Sequence, residues 1–410
     1  MKQEIMEKYA QLAVVQGVNI QKGQLLVINA EVKDYEFVRL CVQKAYEVGA
    51  GKVMVNFSDE VISKMTYQSC SLETLKEVPE WQYDKKKWCQ DKGCAYLHVI
   101  SDTPGYFDDV DQDKIRESQL ASMKKMADLR SYTMNNIGQW CIVALPNEGW
   151  AKKVFPNEKN EDAFVMLNDA ILKTVRIDEN NDPVEQWKLH GEKLHQRCDK
   201  MNAYQFDKLH FTSELGTDLE VGLVKNHIWA GGSCFTLEKK VEFNPNMPTE
   251  EIFCMPDRNN VNGIVYASKP LSYCGKVIED FWFKFKDGVV VDYGAKKNKD
   301  ALDTLLSTDE GSKHLGEVAL IPYHSPISLM NILFYDTLFD ENASCHLALG
   351  ACYPENIVGG PDMSVEQLVA AGGNDSMSHC DFMFGTEKMS VIGIKNNQET
   401  VIFDNGDFVF

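Results

Sequence analysis

Apolar and polar positions along the first half of the chain follow two alternating periods. Short apolar runs predict strands at residues 24–29, 52–57, 96–100 and 139–145. Apolar residues at helical spacing predict helices at residues 3–16, 35–48, 111–131 and 160–175. Strands that alternate with helices of about 10 to 15 residues are typical of βαβ units and a parallel sheet. We therefore predict a doubly wound α/β domain over residues 1–204.

The second half of the chain has strands separated by turn residues instead. Strand patterns occur at residues 209–213, 218–223, 281–285, 289–291, 391–395 and 401–403. Lys286-Asp287-Gly288 and Asn405-Gly406 are typical of hairpin turns, which indicate a mixed or antiparallel sheet. The pattern predicts an α+β domain over residues 205–410, with the junction in the polar stretch 178–183 and the helix after it.

Charge and hydropathy narrow the classes of partner. The 410 residues include 42 Lys and Arg against 61 Asp and Glu, which gives a formal net charge of −19. The electrostatic field of this negative charge repels phosphate backbones and anionic lipid. Neither nucleic acid nor a membrane is therefore an expected partner. The N-terminal segment has an amphipathic pattern without a signal-peptide core, and no run of 18 apolar residues occurs. These features predict a cytoplasmic protein.

The cysteines and the basic run at residues 85–87 are interpreted as having ordinary structural roles. The 12 cysteines are scattered without a C-x-x-C pair, which predicts reduced and mostly buried thiols. Cys345 could be a nucleophile beside His346, but neighbours in sequence rarely face each other. The basic run at residues 85–87, next to Trp88, is interpreted as a solvated helix face rather than an anion site. No glycine-rich nucleotide motif follows any predicted strand.

The candidate chemistry lies in the second half, where two histidines occur in unusual settings. His379 and Asp381 are two positions apart, so in an extended segment both side chains leave the same face and can bind one ion. His346 lies in a run of small and apolar residues. A histidine in such a run is either a satisfied core residue or a metal ligand.

Carboxylates also occur among apolar residues. Glu317 falls within a predicted core strand, and the pair Glu250-Glu251 directly precedes an apolar run. A buried carboxylate without a partner is costly, so these positions call for a cation. The alternative for Glu317 is an exposed edge strand with the carboxylate in solvent.

Together these residues form a mixed oxygen and nitrogen ligand set that suits Zn²⁺, Co²⁺ or Mn²⁺. Three carboxylates are more than one catalytic zinc usually takes, whereas three carboxylates and a hydroxide balance the charge of two divalent cations. We therefore predict two metal ions with the ligands Glu251, Glu317, His346, His379 and Asp381.

Four motifs support a family assignment. NPNMPTEEIF at residues 244–253, LGEVALIPYHSPIS at 315–328, CHLALGACY at 345–353 and GGNDSMSHCDFM at 372–383 closely resemble the thermophilic-aminopeptidase family, the aminopeptidase T and S type of metallopeptidase family 29. The resemblance implies a two-domain metalloexopeptidase that removes N-terminal residues from peptides and forms homodimers. It places the metal ligands on the same five residues and the active-site tyrosine on Tyr353. One departure is His324, where the family pattern has an acidic residue.

The expected reaction is hydrolysis of the first peptide bond by metal-activated water. Glu250 is the candidate general base, although Glu317 could combine that role with bridging the metals. Tyr353 is suited to stabilise the oxyanion, and Asp218 and Asn374 are candidates for binding the α-amino group of the substrate. The alternatives are a dipeptidase or a non-peptide amidase on the same scaffold, or a non-catalytic peptide-binding protein with a structural metal.

Overall fold

The computed structural model describes residues 2–273 and 276–410, so Cys274 lies outside the described residues. The chain divides into two compact units. The first takes in the chain up to Leu189 together with Ser233–Pro248, and the second consists of His190–Gly232 and Thr249–Phe410. The chain therefore leaves the first unit and returns to it once before the second unit is complete.

The strands and helices are numbered in chain order. The strands are β1 Leu25–Glu31, β2 Lys52–Ser58, β3 Ala95–Ile100, β4 Trp140–Ala144, β5 Lys208–Thr212, β6 Asp218–Leu223, β7 Cys234–Phe235, β8 Glu242–Phe243, β9 Ile252–Cys254, β10 Pro256–Tyr266, β11 Leu271–Tyr273, β12 Lys276–Lys286, β13 Val289–Lys297, β14 Leu315–Leu320, β15 His346–Gly350, β16 His379–Met383, β17 Ser390–Lys395, β18 Gln398–Asp404 and β19 Asp407–Phe408. The helices are α1 Gln3–Gln11, α2 Tyr35–Glu47, α3 Glu60–Ser69, α4 Leu72–Lys76, α5 Glu80–Asp91, α6 Gln112–Lys125, α7 Ser131–Met134, α8 Glu148–Val154, α9 Asn160–Thr174, α10 Pro183–Tyr204, α11 Lys299–Leu306, α12 Pro326–Met330, α13 Thr337–Asp340 and α14 Val365–Ala370. None of the described helices combines the length and the apolar character needed to cross a bilayer.

The first unit is built on a parallel sheet in the order β2-β1-β3-β4. Strand β1 is buried along nearly its whole length, as expected for a central strand covered on both faces. Helix starts are fixed by side-chain caps: Asp59 accepts hydrogen bonds from the backbone N–H groups of Val61 and Ile62 at the start of α3. The predicted doubly wound α/β architecture is confirmed.

The second unit contains a large antiparallel sheet in the order β11-β12-β10-β6-β5-β17-β18-β19, with β13 paired to β12. The hairpin from β12 to β13 is closed by Asp287 and Gly288, with φ angles of 49° and 83°. Lys286 pairs directly with Val289 across this turn. Positive φ at both central residues is the requirement of a type I′ turn, which matches the twist of the paired strands. The α+β character predicted from such turns is confirmed.

A smaller antiparallel sheet of the second unit has the order β16-β15-β14-β9. All six residues of β14 and all five of β15 are buried. Their inner apolar side chains, such as Val318 and Leu347, belong to the same core cluster as Phe283 of the large sheet. This sheet therefore has a rigid support, and it carries the candidate site.

Candidate metal centre

Four of the predicted ligands lie on one face of the small sheet. Ala348 pairs with Glu317 of β14 on one side and with Asp381 of β16 on the other. His346 precedes Ala348 by two positions and His379 precedes Asp381 by two, so both imidazoles leave the same face as the carboxylates. The strand period of two, together with the register of three strands, brings the four side chains together.

Small residues on β15 leave room for this cluster. Ala348 separates Glu317 from Asp381 by one methyl group only. Gly350 ends the strand opposite His379 with a φ of 117°, and a Cβ atom there would lie 2.1 Å from the carbonyl oxygen of Ser378. Only glycine fits this position, because a side chain would collide with the backbone that leads into β16.

The ligand atoms lie within reach of a shared ion. His346 Nε2 is 3.2 Å from Oε2 of Glu251 and 3.4 Å from Oε1 of Glu317. His379 Nε2 is 3.4 Å from Oε2 of Glu317 and 3.3 Å from Oδ1 of Asp381. Two groups of potential ligands result, Glu251 with Glu317 and His346, and Glu317 with His379 and Asp381. Glu317 belongs to both groups and offers one carboxylate oxygen to each imidazole.

Burial and mutual charge shift the acid–base equilibria of the cluster. Burial raises the pKa of Glu251 to about 8, against the opposing charge of His346. Burial alone would lower the pKa of His346, but Glu317 and Glu251 raise it to about 10. The pKa of Glu317 is lowered despite burial, because His346 and His379 stabilise its charge. Without a metal, protonated imidazoles balance the charge of the carboxylates. A bound divalent cation would balance that charge instead.

The residues fit a metal ion on two observations. His379 Nδ1 lies 2.7 Å from the carbonyl oxygen of Ala351, so the neutral ring carries its proton on Nδ1 and presents the Nε2 lone pair to the cluster. Metal-binding histidines are commonly held in this way. Oε2 of Glu251 and Nδ1 of His346 are buried without a hydrogen-bond partner among the described residues. A cation compensates for a buried carboxylate oxygen that accepts no hydrogen bond.

Of the two other predicted site residues, Tyr353 lies next to this cluster and Glu250 precedes the predicted ligand Glu251 in sequence. The ring centroid of Tyr353 is 4.9 Å from that of His379, and burial raises the pKa of the Tyr353 phenol. Glu250 is buried, and its Oε2 lies 3.8 Å from Nε2 of His190 on α10. The charge of Glu250 also acts on Arg197, which follows His190 by seven positions and so lies on the same face of α10.

Sequence reasoning missed one carboxylate and one amide at the site. Glu341 lies in the 3-10 turn Glu341–Ala343, and burial together with the charges of Glu251 and Asp381 raises its pKa well above the usual range. Asn342 is fully buried, and its Oδ1 accepts a hydrogen bond of 2.7 Å from the backbone N–H of Glu250. The sequence Asp-Glu-Asn has the appearance of a surface turn, so nothing in the pattern pointed to either residue.

The residues considered for other roles have structural partners. Asp218 is 75% exposed and pairs with His210 at 2.7 Å. Asn374 Nδ2 donates to the carbonyl oxygens of Gly311 and Gly350, which fixes the loop before β16. His324, the departure from the family pattern, is 61% exposed and pairs with the carboxylate of Asp407.

The thiol alternative is not supported. Burial raises the pKa of Cys345 to about 12, and its Sγ donates to the carbonyl oxygen of Ile321 rather than facing an imidazole. A reactive cysteine requires a lowered pKa and an accessible sulfur. Nine of the eleven described cysteines are buried.

Comparisons with known proteins identify the family. Residues 2–408 match the model of the thermophilic metalloprotease (M29) family. The chain belongs to this family. It is 44% identical over 403 residues to aminopeptidase AmpS of Bacillus subtilis (strain 168), which covers 98% of both chains. It is 39% identical over 391 residues to aminopeptidase T of Thermus aquaticus, which covers 95% of both chains.

A solved structure extends the similarity to the fold. Wild-type AmpT from Thermus thermophilus superposes with a TM-score of 0.92 at 36% identity, covering 99% of each chain. The family resemblance inferred from the four motifs is confirmed, and the chain is an enzyme of the metalloprotease class. A metallopeptidase family implies divalent metal ions, for which the carboxylate and histidine cluster is suited.

Proposed function

We propose that this protein is an aminopeptidase that hydrolyses the first peptide bond of peptides with a free N-terminus, using two divalent metal ions. The observation that carries the proposal is the position of Glu317, which belongs to both groups of potential ligands. One carboxylate shared between two groups is the arrangement that a dinuclear site requires. The relatives named as aminopeptidases support the same substrate class.

The proposed ligands are Glu251, Glu317, His346, His379 and Asp381, and Zn²⁺, Co²⁺ or Mn²⁺ suits this donor set. Bound there, the metals would polarise the scissile carbonyl and lower the pKa of a water molecule towards neutrality. The small sheet holds four of the five side chains, and Glu251 immediately precedes its strand β9, so little reorganisation is needed for a metal to bind.

The chain's own groups supply proton transfer and charge stabilisation. Glu250 is the proposed general base, and its Oε2 lies 3.8 Å from Nε2 of His190, which hydrogen-bonds to the carbonyl oxygen of Thr249 at 2.7 Å. Glu317 is the alternative base. The phenol of Tyr353, next to His379, is placed to donate a hydrogen bond to the oxyanion that develops at the scissile carbonyl.

Glu341 is the proposed partner of the substrate's α-ammonium group. Its carboxylate interacts with those of Glu251 and Asp381, yet it belongs to neither group of potential metal ligands. It also lines a small cavity of about 60 Å³ together with Asp381. A carboxylate beside the metals, in a buried setting, would favour a cationic terminus over a blocked one.

Other properties are proposed from the sequence and the family resemblance. We expect a homodimer in the cytoplasm, and we assign the metal-binding catalytic domain to residues 205–410 and the α/β domain to residues 1–204. All the proposed ligands lie in the second compact unit, which supports that division of roles.

The deciding experiment is hydrolysis of matched short peptides with free and N-acetylated termini, before and after metal removal. The proposal predicts that only the free terminus is cleaved, that a chelator abolishes cleavage, and that added Co²⁺ or Zn²⁺ restores it. Glu317→Gln should be inactive, whereas Glu310→Gln, an exposed carboxylate that pairs with Lys313, should keep full activity. Cleavage of dipeptides alone would instead indicate a dipeptidase.

A further inference from the structure

A cavity of about 580 Å³ lies in the first unit, far in sequence from every proposed metal ligand. It is formed between one face of the parallel sheet and helix α5. The sheet contributes side chains of β1, β2 and β3, and the helix contributes Trp81, Lys85 and Lys86. Because all of its walls belong to one compact unit, the cavity is complete within that unit.

The floor of this cavity is a row of polar residues in a position normally occupied by core side chains. Asn29 of β1 pairs in register with Asn56 of β2 and with His98 of β3. The preceding row on the same face is apolar at Val27 and aromatic at Tyr96. Three polar side chains across three adjacent strands break the apolar pattern of a sheet face that is covered by a helix.

These polar side chains form a directed chain of hydrogen bonds. Lys85 Nζ donates to Oδ1 of Asn56 at 2.6 Å, and Asn56 Nδ2 donates to Oδ1 of Asn29 at 2.9 Å. Asn29 Nδ2 lies 3.4 Å from Nδ1 of His98. An amide N–H can only donate, so Nδ1 of His98 accepts and the ring proton lies on Nε2. Both amide oxygens, of Asn56 and of Asn29, accept hydrogen bonds within this row. The two ends of the row, Lys85 and His98, therefore both offer N–H groups.

The charge of the cavity is positive. Burial and the charge of Lys86 lower the pKa of His98 to about 4, so His98 is neutral near pH 7 and acts as a hydrogen-bond donor. Lys85 and Lys86 are the charged groups, and none of the described residues that line the cavity carries a carboxylate. A lining of donors and cations without acids favours an anion over a zwitterion or a cation.

Aromatic surface completes the site. Trp81 is 62% exposed and Phe57 is 48% exposed, and both line the cavity next to Tyr96. The buried hydroxyl of Tyr96 has no oxygen or nitrogen hydrogen-bond partner among the described residues. Exposed aromatic faces next to ammonium groups are suited to stack on a flat ring.

The cavity lies on a face of the sheet beside the point at which the strand order reverses. Strand β2 lies on one side of β1, and the next strand in the chain, β3, lies on the other side of β1. The direction in which strands are added to the sheet therefore reverses between β1 and β3. In open parallel sheets, ligands bind near the carboxyl ends of the strands at this reversal. Asn29 and His98 lie on β1 and β3, past the middle of each strand.

We propose that this cavity is a second ligand site, which binds a small anion carried on a flat ring, with Lys85 and His98 as donors and Trp81 as the stacking surface. An aromatic carboxylate and a nucleoside monophosphate share this chemistry. The basic run at residues 85–87 is therefore divided: Lys85 and Lys86 line the site, and Lys87 pairs with Asp91 on the surface at 2.9 Å, as the sequence predicted for the whole run.

The test is isothermal titration calorimetry with two anions, indole-3-acetate and adenosine monophosphate, each against its uncharged analogue, indole and adenosine. We expect saturable binding of at least one anion, with one molecule bound per chain. The affinity for the matching neutral ring should be lower by roughly tenfold or more. The anion that binds identifies the source, carboxylate or phosphate. Failure of both anions, or equal binding of the neutral rings, would overturn the proposal.

Variants locate the site and separate it from catalysis. Lys85→Met removes an exposed cation and should weaken binding roughly tenfold or more, whereas Lys87→Met, a lysine two positions along the same helix, should not change it. Equal losses in the two variants would contradict the assignment. Glu317→Gln should bind the anion as the unmodified chain does, so the result does not depend on the aminopeptidase proposal.

Discussion

Glu341 and Asp381 line the same small cavity, where burial and the charges of Glu251 and Asp381 raise the pKa of Glu341 well above its usual range. Asp381 belongs to a group of potential metal ligands, whereas Glu341 does not. Glu341 therefore lies beside the proposed ligands in a setting that disfavours its ionised form. A cationic group of the substrate would stabilise that ionised form.

Glu341→Gln tests that role. The change keeps the shape of the side chain and removes its charge, so kcat/KM for free-terminus peptides should fall by about 10- to 100-fold. A peptide analogue without the α-amino group should lose far less, because it makes no ion pair with Glu341. Metal content, measured by atomic emission, should stay unchanged. A loss of metal in Glu341→Gln would show that the residue is a ligand instead.

Glu317→Gln tests the proposed role of Glu317 as a carboxylate shared by two metal ions. A neutral amide cannot balance two cations, so we expect the metal content to fall from two ions per chain and kcat to fall by at least about 100-fold. The matched control is Glu310→Gln, which changes an exposed carboxylate seven positions earlier. Two bound metals in an active Glu317→Gln variant would contradict the dinuclear proposal.

Glu250→Gln distinguishes the two candidate bases. If Glu250 transfers the proton, the variant should keep its metals while kcat falls by about 100- to 10,000-fold. His190→Gln, which alters the imidazole 3.8 Å from Glu250, should give a smaller decrease in kcat and a changed pH profile. Full activity of Glu250→Gln would assign the base to Glu317.

The features of the candidate site that depend on strand periodicity could be predicted from the sequence. His379 and Asp381 share a face because they lie two positions apart in a strand, and Glu317 is 4% exposed because β14 is a core strand. The resemblance of four motifs to the family supplied the other predicted ligands. The features set by strand periodicity can be predicted from the sequence because each depends only on residues that are close together in one strand.

Other features depend on packing that a single sequence does not contain. The Asp-Glu-Asn turn at residues 340–342 has a surface composition, but the fold buries Asp340 and Asn342 and half-buries Glu341. Asn29, Asn56 and His98 each follow apolar residues on separate strands, and only the register of the parallel sheet makes them one row. The return of Ser233–Pro248 to the first unit also has no local signature.

Tyr353→Phe tests oxyanion stabilisation. Loss of one hydrogen bond made in the transition state should lower kcat by about 100- to 1,000-fold and leave KM and metal content close to their original values. The aromatic contact with His379 is preserved in the variant, so the fold around the metal centre should not change. Parallel losses of activity and metal would show that Tyr353 supports the ligands rather than the reaction.

Metal binding should depend on pH with a definite sign. Without metal, Glu317 and Glu251 raise the pKa of His346 to about 10, so the imidazole is protonated at pH 7 and must lose its proton to bind a metal. Affinity for Zn²⁺ should therefore rise between pH 6 and pH 8, roughly tenfold per pH unit for each proton released. Calorimetry in two buffers of different ionisation enthalpy measures that proton number, and thermal unfolding should show a metal-dependent stabilisation that grows with pH. Lys87→Met is a suitable control, since it leaves this cluster untouched. A pH-independent affinity would mean that His346 does not take part in the site.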